Sequence, residues 1–204
     1  RQNQTEVMRV VYVPSQPNWK LIACDFSQME ARLAAWFAKD TERAARFDRP
    51  GFNEYKYAAS IFFGLPAEEV KKEKDPESPY HRAKTIVLGM DRALGSRKIS
   101  VTNDIPESDV KEMQRRWRAE IPKTMAWQAE IGARAKRDKY LYNPFGRRCL
   151  FYGGNEHTEG ISFLPQSTGA DVIFRCMIAL MHERVEWPRS RAERVVRVIR
   201  VLPP

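Results

Sequence analysis

Asp25 closes the short apolar run Leu21-Ile22-Ala23-Cys24 and stands just before a helical pattern. A carboxylate there can face solvent or a cation from a rigidly held backbone. Magnesium takes oxygen donors, usually one or two carboxylates together with substrate phosphates, so Asp25 and the backbone carbonyl of Phe26 make half of a metal site. The plainer account is a turn residue followed by Ser27 as a helix cap, and spacing alone favours it. Glu30 follows Ser27 at the capping-box interval, which is an ordinary use for a glutamate. Lys84 lies on a second helical pattern, with Leu88 one turn on and Asp91 and Arg92 beyond, so one helical face could receive a phosphate. Lysine is a compact cation suited to triphosphate oxygens, and stabilising charge is the protein's main part in phosphoryl transfer. A solvated surface lysine is the commoner fate of this residue type.

The elements that must position these groups are read from apolar spacing. Val10-Val11-Tyr12-Val13 reads as a strand stopped by Pro14, and Leu21 to Cys24 as a second, fully buried one. From Ser27, Met29, Leu33, Trp36 and Phe37 fall on one helical face. A helix bearing Tyr57, Ile61 and Phe62 ends near Gly64-Leu65-Pro66, and Lys71-Lys72-Glu73-Lys74 reads as a solvated face. Ser78 is an N-cap with Pro79 at the first helical position, and that helix runs to about Gly95. Val110, Met113, Trp117 and Ile121 form the stripe of a helix from Glu107 to Pro122, and Met125, Trp127 and Ile131 that of the next. Both tryptophans are expected in the core rather than as stacking platforms for bases. Tyr140-Leu141-Tyr142 and Cys149-Leu150-Phe151-Tyr152 flank Asn143-Pro144-Phe145-Gly146 as a hairpin, with Arg147-Arg148 at its base. A long helix follows from near Ser167 to Glu183. Arg191, Arg194, Arg197 and Arg200 then recur beside aliphatic residues, where helix and strand fit equally.

Composition narrows the classes. With 204 residues, 43% hydrophobic and 30% charged, the chain is that of a folded globular protein. Neither a spanning apolar run nor a signal-peptide pattern stands in the sequence, so no membrane partner is expected and an intracellular setting is. Three scattered cysteines, Cys24, Cys149 and Cys176, suit neither a disulfide framework nor a zinc site. The formal charge of +9 suits a phosphate-bearing partner. Opening at Arg1 and stopping at Pro203-Pro204, the chain reads as an excerpt of a longer one.

Taken in order, four blocks resemble the family A, polymerase I-like, DNA polymerases, and the likeness covers almost the whole chain. Asp25-Phe26-Ser27-Gln28-Met29-Glu30-Ala31-Arg32 is similar to the family's motif A. The resemblance makes Asp25 a ligand of two catalytic Mg2+ ions, with the Phe26 carbonyl beside it, puts Gln28 at the nucleotide, and makes Glu30 the gate against a ribose 2′-hydroxyl. Arg82-Ala83-Lys84-Thr85-Ile86-Val87-Leu88-Gly89 resembles motif B, where Lys84 and Arg82 hold the dNTP triphosphate and Leu88 packs against the nucleotide. Asn143 to Arg148 resembles the family's G-R-R hairpin, which makes Arg147 and Arg148 DNA contacts. Leu164-Pro165-Gln166 to Asp171 resembles the start of a palm helix whose glutamine, Gln166, reaches the minor groove.

The sequence departs from the family pattern at definite places. Tyr80 stands four residues before Lys84, where arginine is usual; Asp91-Arg92-Ala93 stands where Gly-Tyr-Gly is expected, putting Arg92 in the nucleotide pocket; Ser162 stands where asparagine is common. The His-Asp strand of motif C, bearing the second metal ligand, is absent, and in order it would follow Leu202. The thumb is not visible either.

The resemblance implies an α+β fold: a discontinuous palm with an antiparallel sheet, interrupted by a mostly helical fingers subdomain. The expected division is palm over residues 1–44, fingers over 45–138 and returning palm over 139–204. Implied partners are primer-template DNA, dNTP and the remainder of the polymerase chain, in a cytoplasmic or phage-encoded setting. Asp25 and Lys84 are the expected catalytic residues, and the isolated chain is expected to be nearly inactive. The alternative is a non-catalytic basic module or polymerase remnant that holds nucleic acid through phosphates. A single-subunit RNA polymerase ranks below both, because Glu30 at the gate position favours deoxyribonucleotides.

Overall fold

The computed structural model describes Val13, residues 25–73 and residues 75–182, side chains of 180–182 excepted. Apart from Val13, which is exposed, the expected first strands and the terminal arginine series lie outside these residues. The chain divides into one unit of residues 1–27 with 183–204 and a second of residues 28–182.

The second unit begins with α1 (Met29–Phe37), α2 (Thr41–Arg46) and α3 (Glu54–Phe63). The capping box expected for α1 does not set its start: the cap position is Gln28, in a left-handed conformation without a side-chain cap, and the Glu30 carboxylate is bonded elsewhere. Trp36, expected on the buried face, is exposed and stands edge-on to Phe37. The turn into α2 is capped by Asp40, which accepts from the Arg43 N–H at 3.1 Å. Asn53 caps α3, accepting from the N–H groups of Tyr55 and Lys56. Gly64 ends α3 at φ 68°, a conformation glycine takes without strain.

The helix α4 (Pro79–Asp91) starts as its sequence dictates, with Ser78 Oγ accepting from the His81 N–H at 3.2 Å. It stops at Asp91, short of the expected Gly95. A helix the spacing does not announce follows, α5 (Ser96–Asn103), which buries Ile99 alone and so carries no apolar stripe. The next two, α6 (Glu107–Glu120) and α7 (Pro122–Asp138), bury Trp117 and Trp127 as their stripes require. Together α3, α4, α5 and α6 enclose one core around Tyr55, Ile86, Val87 and Trp117.

The strands β1 (Tyr140–Tyr142) and β2 (Arg148–Leu150) form an antiparallel hairpin with Tyr140 opposite Leu150 and Tyr142 opposite Arg148. The last element, α8 (Glu156–His182), begins well before the expected Ser167. Pro165 reads as a helix start in sequence, yet it is buried inside the helix, because packing of Ile161 and Leu164 against α7 and the hairpin outweighs the lost backbone bond. Close approach of α7 and α8 depends on two glycines. A Cβ at Gly132 would stand 2.1 Å from the His157 ring, and one at Gly160 would stand 2.4 Å from the Ala135 Cβ. The α+β expectation therefore stands, with eight helices and one two-stranded sheet among the described residues. No helix among them is long and apolar enough to cross a membrane.

The helices of this unit are joined by a buried charge cluster. Arg43 Nε and Nη2 donate to the two oxygens of Glu54 at 2.8 and 3.0 Å, and Nη2 also donates to Asp91 at 3.0 Å. Its Nη1 reaches Thr124 Oγ1 at 3.3 Å, whose hydroxyl donates to Asp40 at 3.2 Å. Arg43 and Glu54 are each 1% exposed and Asp91 3%. Desolvation pushes the Asp91 carboxyl up to about 6 even though Arg43 pulls it down.

Arg43→Ala would leave buried carboxylates uncompensated, at a cost of about 3–5 kcal/mol, read by urea unfolding. Asp91 holds its proton longer in the folded chain than in the unfolded one. Its contribution is therefore greatest below pH 4 and declines as pH rises to about 6. Asp91→Asn should flatten that decline in a pH series of unfolding curves.

Candidate functional site

The sequence-derived site residues of α4 fall on two sides of the helix. Ala83, Ile86, Val87 and Met90 enter the core, which turns Lys84 outward and leaves Leu88 half-buried one turn further along. The Lys84 ammonium is 6.0 Å from the centre of the Tyr55 ring. Tyr80 is 4% exposed and meets Tyr55 edge-on at 6.0 Å, so the place one turn before Lys84 serves packing and offers no cation. Arg82 is half-buried, and its Nε is buried without a hydrogen-bond partner among the described residues.

At the end of α4 the segments resembling motif A and motif B touch. Arg92, the C-cap, donates from Nε to Glu30 Oε2 at 3.1 Å and from Nη2 to Oε1 at 2.9 Å. This two-pronged geometry is the strong form of a guanidinium–carboxylate contact. Both side chains stay partly open to solvent, at 43% and 29% exposure. The Arg92 carbonyl accepts from Ser162 Oγ at 3.1 Å, which brings α8 to the same point. Gln28 lies nearby in sequence but is otherwise engaged: it donates to the Phe52 carbonyl at 3.3 Å and accepts from the Glu54 N–H at 2.6 Å, tying α1 to the start of α3. Asp25 and Phe26 belong to the unit of residues 1–27 and 183–204, and both are exposed. Among the described residues no group of three His, Cys, Asp or Glu side chains is arranged to hold a metal ion.

The basic hairpin is fixed from within. The Asn143 side chain accepts from the N–H groups of Phe145 and Arg147 at 3.0 and 2.9 Å, and donates to Asp171 at 2.6 Å. Arg147 Nε donates to Asp171 at 3.1 Å and Nη2 makes a second bond to the same carboxylate. Arg147 therefore has a partner on α8 while half its side chain faces solvent, whereas Arg148 is exposed with no ion pair among the described residues. Gln166 is exposed on α8, where it lines a shallow surface hollow with Arg147, Phe163 and Phe174. The Arg175 guanidinium lies 4.4 Å over the Phe145 ring.

Sequence reasoning passed over Arg43, Glu54 and Asp171. Asp91 carries a usable signal, since an acid one turn after Val87 and next to Met90 continues the buried face of α4 and so demands a buried cation. Nothing local marks Arg43 as that cation. Its partners come from separate elements.

Comparison with known proteins gives a consistent set. The chain matches DNA polymerase family A over residues 1–198. It is 28% identical over 209 residues to the thermostable DNA polymerase I of Thermus aquaticus, covering 90% of this chain and 24% of that protein. It is 26% identical over 184 residues to DNA polymerase I of Pseudomonas aeruginosa, covering 85% and 19%. In fold it resembles the polymerase domain of Pol1 from M. smegmatis, solved with DNA primer-template and dNTP, with a TM-score of 0.60 at 20% identity over 73% of this chain and 27% of that one. The chain thus spans about a quarter of the length of the curated relatives it matches.

The hairpin's anchor sets an acid limit. Bonds from Arg147 and Asn143 hold the Asp171 carboxyl down at about 2, below its ordinary value near 3.8. The stabilisation is complete above pH 4 and is lost as pH falls through 2. Asp171→Asn should remove that part of the acid-induced change, followed by the tyrosine signals of the hairpin in an NMR titration.

Proposed function

This chain belongs to DNA polymerase family A, and from that premise we propose that it is the nucleotide-handling portion of an enzyme that extends a DNA primer from dNTPs on a template. The observation that carries the reading is the bond between Glu30 and Arg92. It joins the motif A segment to the end of the helix bearing Lys84, so two sequence blocks 62 residues apart address one place.

In this reading Lys84 neutralises triphosphate charge from the exposed side of α4, Arg82 assists it, and Leu88 packs against the nucleotide. With Tyr80 turned into the core, no further cation comes from that turn of the helix. Glu30 stands against a 2′-hydroxyl and Arg92 holds its carboxylate in place. The Gln28 amide is committed to Phe52 and to Glu54, so its part is to fix the approach of α1. The Asp25 carboxylate and the Phe26 carbonyl are hard oxygen donors that suit Mg2+ and would hold it as part of a larger ligand set. When bound, such ions lower the pKa of the attacking 3′-hydroxyl and stabilise the leaving pyrophosphate. Arg147, Arg148 and Gln166 would contact the primer-template. The proposed division is fingers over residues 45–138 set between palm segments 1–44 and 139–204, completed by the thumb and motif C of the same polymerase. Its place of work is inside a cell, host- or phage-encoded, where DNA and dNTPs are found.

Titration of the chain with dATP, with and without Mg2+, tests this by calorimetry. Lys84→Ala should weaken binding about tenfold or more, from the roughly 1.5–3 kcal/mol of a bond to a charged group, and Asp25→Ala should abolish the magnesium dependence. Salt-sensitive DNA binding without magnesium-dependent dATP binding would overturn the polymerase reading in favour of a non-catalytic module.

A further inference from the structure

We propose that the outer face of the β1–β2 hairpin is a stacking platform for an unpaired nucleic-acid strand. Strand alternation sends Leu141 inward, where it is 1% exposed, and turns its neighbours Tyr140 and Tyr142 outward at 44% and 51%. On the facing strand Arg148 and Leu150 point the same way, Arg148 opposite Tyr142 and Leu150, 47% exposed, opposite Tyr140. Tyr152, just past β2, is 73% exposed. The rings of Tyr140 and Tyr142 stand 5.8 Å apart at 78°, so they present a ring face and a ring edge side by side.

Three features favour a nucleic-acid strand over other occupants. No Asp or Glu occurs between Tyr140 and Tyr152, while Arg147 and Arg148 both do, within a chain of formal charge +9. Single exposed aromatics occur elsewhere, at Trp36 and Phe174, whereas here three tyrosines, Tyr140, Tyr142 and Tyr152, are left in solvent at one hairpin. The hairpin is also rigid enough to offer a preset surface, because Asn143 closes its turn and Phe151 roots it in the core. Exposed rings can stack on bases only where those bases are not already stacked in a duplex, and arginine adds backbone charge and cation–π contact. The inference rests on the nucleic-acid side of the reading above and not on its chemistry: neither Lys84 nor Asp25 takes part.

The test uses the 204-residue chain in EDTA without dNTP, titrated into fluorescein-labelled dT20 and, separately, a labelled 20-base-pair blunt duplex, with fluorescence anisotropy as the readout. Stacking on a single aromatic is typically lost as a fall of about fivefold or more on alanine substitution. Tyr142→Ala with Tyr152→Ala should therefore weaken dT20 binding at least about tenfold and leave the duplex within about twofold. The paired Tyr→Phe variant keeps the rings and should bind dT20 as the parent does. Circular dichroism melting confirms that each variant is folded. The proposal is overturned if the parent chain does not bind dT20, if the alanine pair binds it unchanged, if the phenylalanine pair loses as much, or if duplex affinity falls in parallel. An unchanged dT20 affinity with a lowered melting temperature would assign the face to protein packing. Because magnesium and dATP are absent throughout, either result leaves the dATP titration to be decided on its own.

Discussion

One buried guanidinium organises the larger unit. Arg43 draws together Glu54 on α3, Asp91 on α4 and Thr124 on α7, and Thr124 passes the connection back to Asp40 at the start of its own helix. A charge withdrawn from water is tolerated only when its donors are used, and here Nε, Nη1 and Nη2 all find oxygen. The candidate site is built one residue away from this cluster. Arg92 follows Asp91 and clamps Glu30; Gln28 bonds the backbone N–H of Glu54. The position of the motif A glutamate relative to the motif B helix is thus set from inside the fold.

Against the family pattern, the unusual residues are mutually provided for. Asp91, expected as glycine, is bonded to Arg43; Arg92, expected as tyrosine, is bonded to Glu30; Ser162, expected as asparagine, donates to the Arg92 carbonyl. Tyr80, in an arginine place, packs on Tyr55. The corner is ionic, and each of these residues has a partner.

Much of this was legible in the residues. Where helix ends carry their own chemistry, as at Ser78-Pro79, Gly64 and Pro122, sequence and structure agree within a few residues. The stripes of α6 and α7 likewise placed Trp117 and Trp127 in the core. What escaped reading depended on distant partners. Ser27 and Glu30 have the spacing of a capping box, but a cation from the end of α4 competes for Glu30 and wins. Pro165 has the look of a beginning, but packing on α7 ahead of it and on α1 past it, at Gly169, holds the chain helical. The helix α5 buries one side chain and has no pattern to find. Asp25 is singled out as a candidate metal ligand by motif order alone, since neither its spacing nor its exposed side chain distinguishes it from a turn.

The proline within α8 divides that helix into two stretches of unlike character. Ahead of it, Gly160, Ile161 and Leu164 are locked against α7 and the hairpin; past it, Phe174, Cys176 and Ile178 are largely exposed. Proline gives no N–H to the carbonyl four residues back, so the rod lacks one of its internal rungs at the boundary between the two. A load applied to the far stretch would be taken up as bending at Pro165 before it could reach the glycine-lined contact, yet it would be felt at the basic hairpin, because Asp171 past the proline holds Arg147 and Asn143.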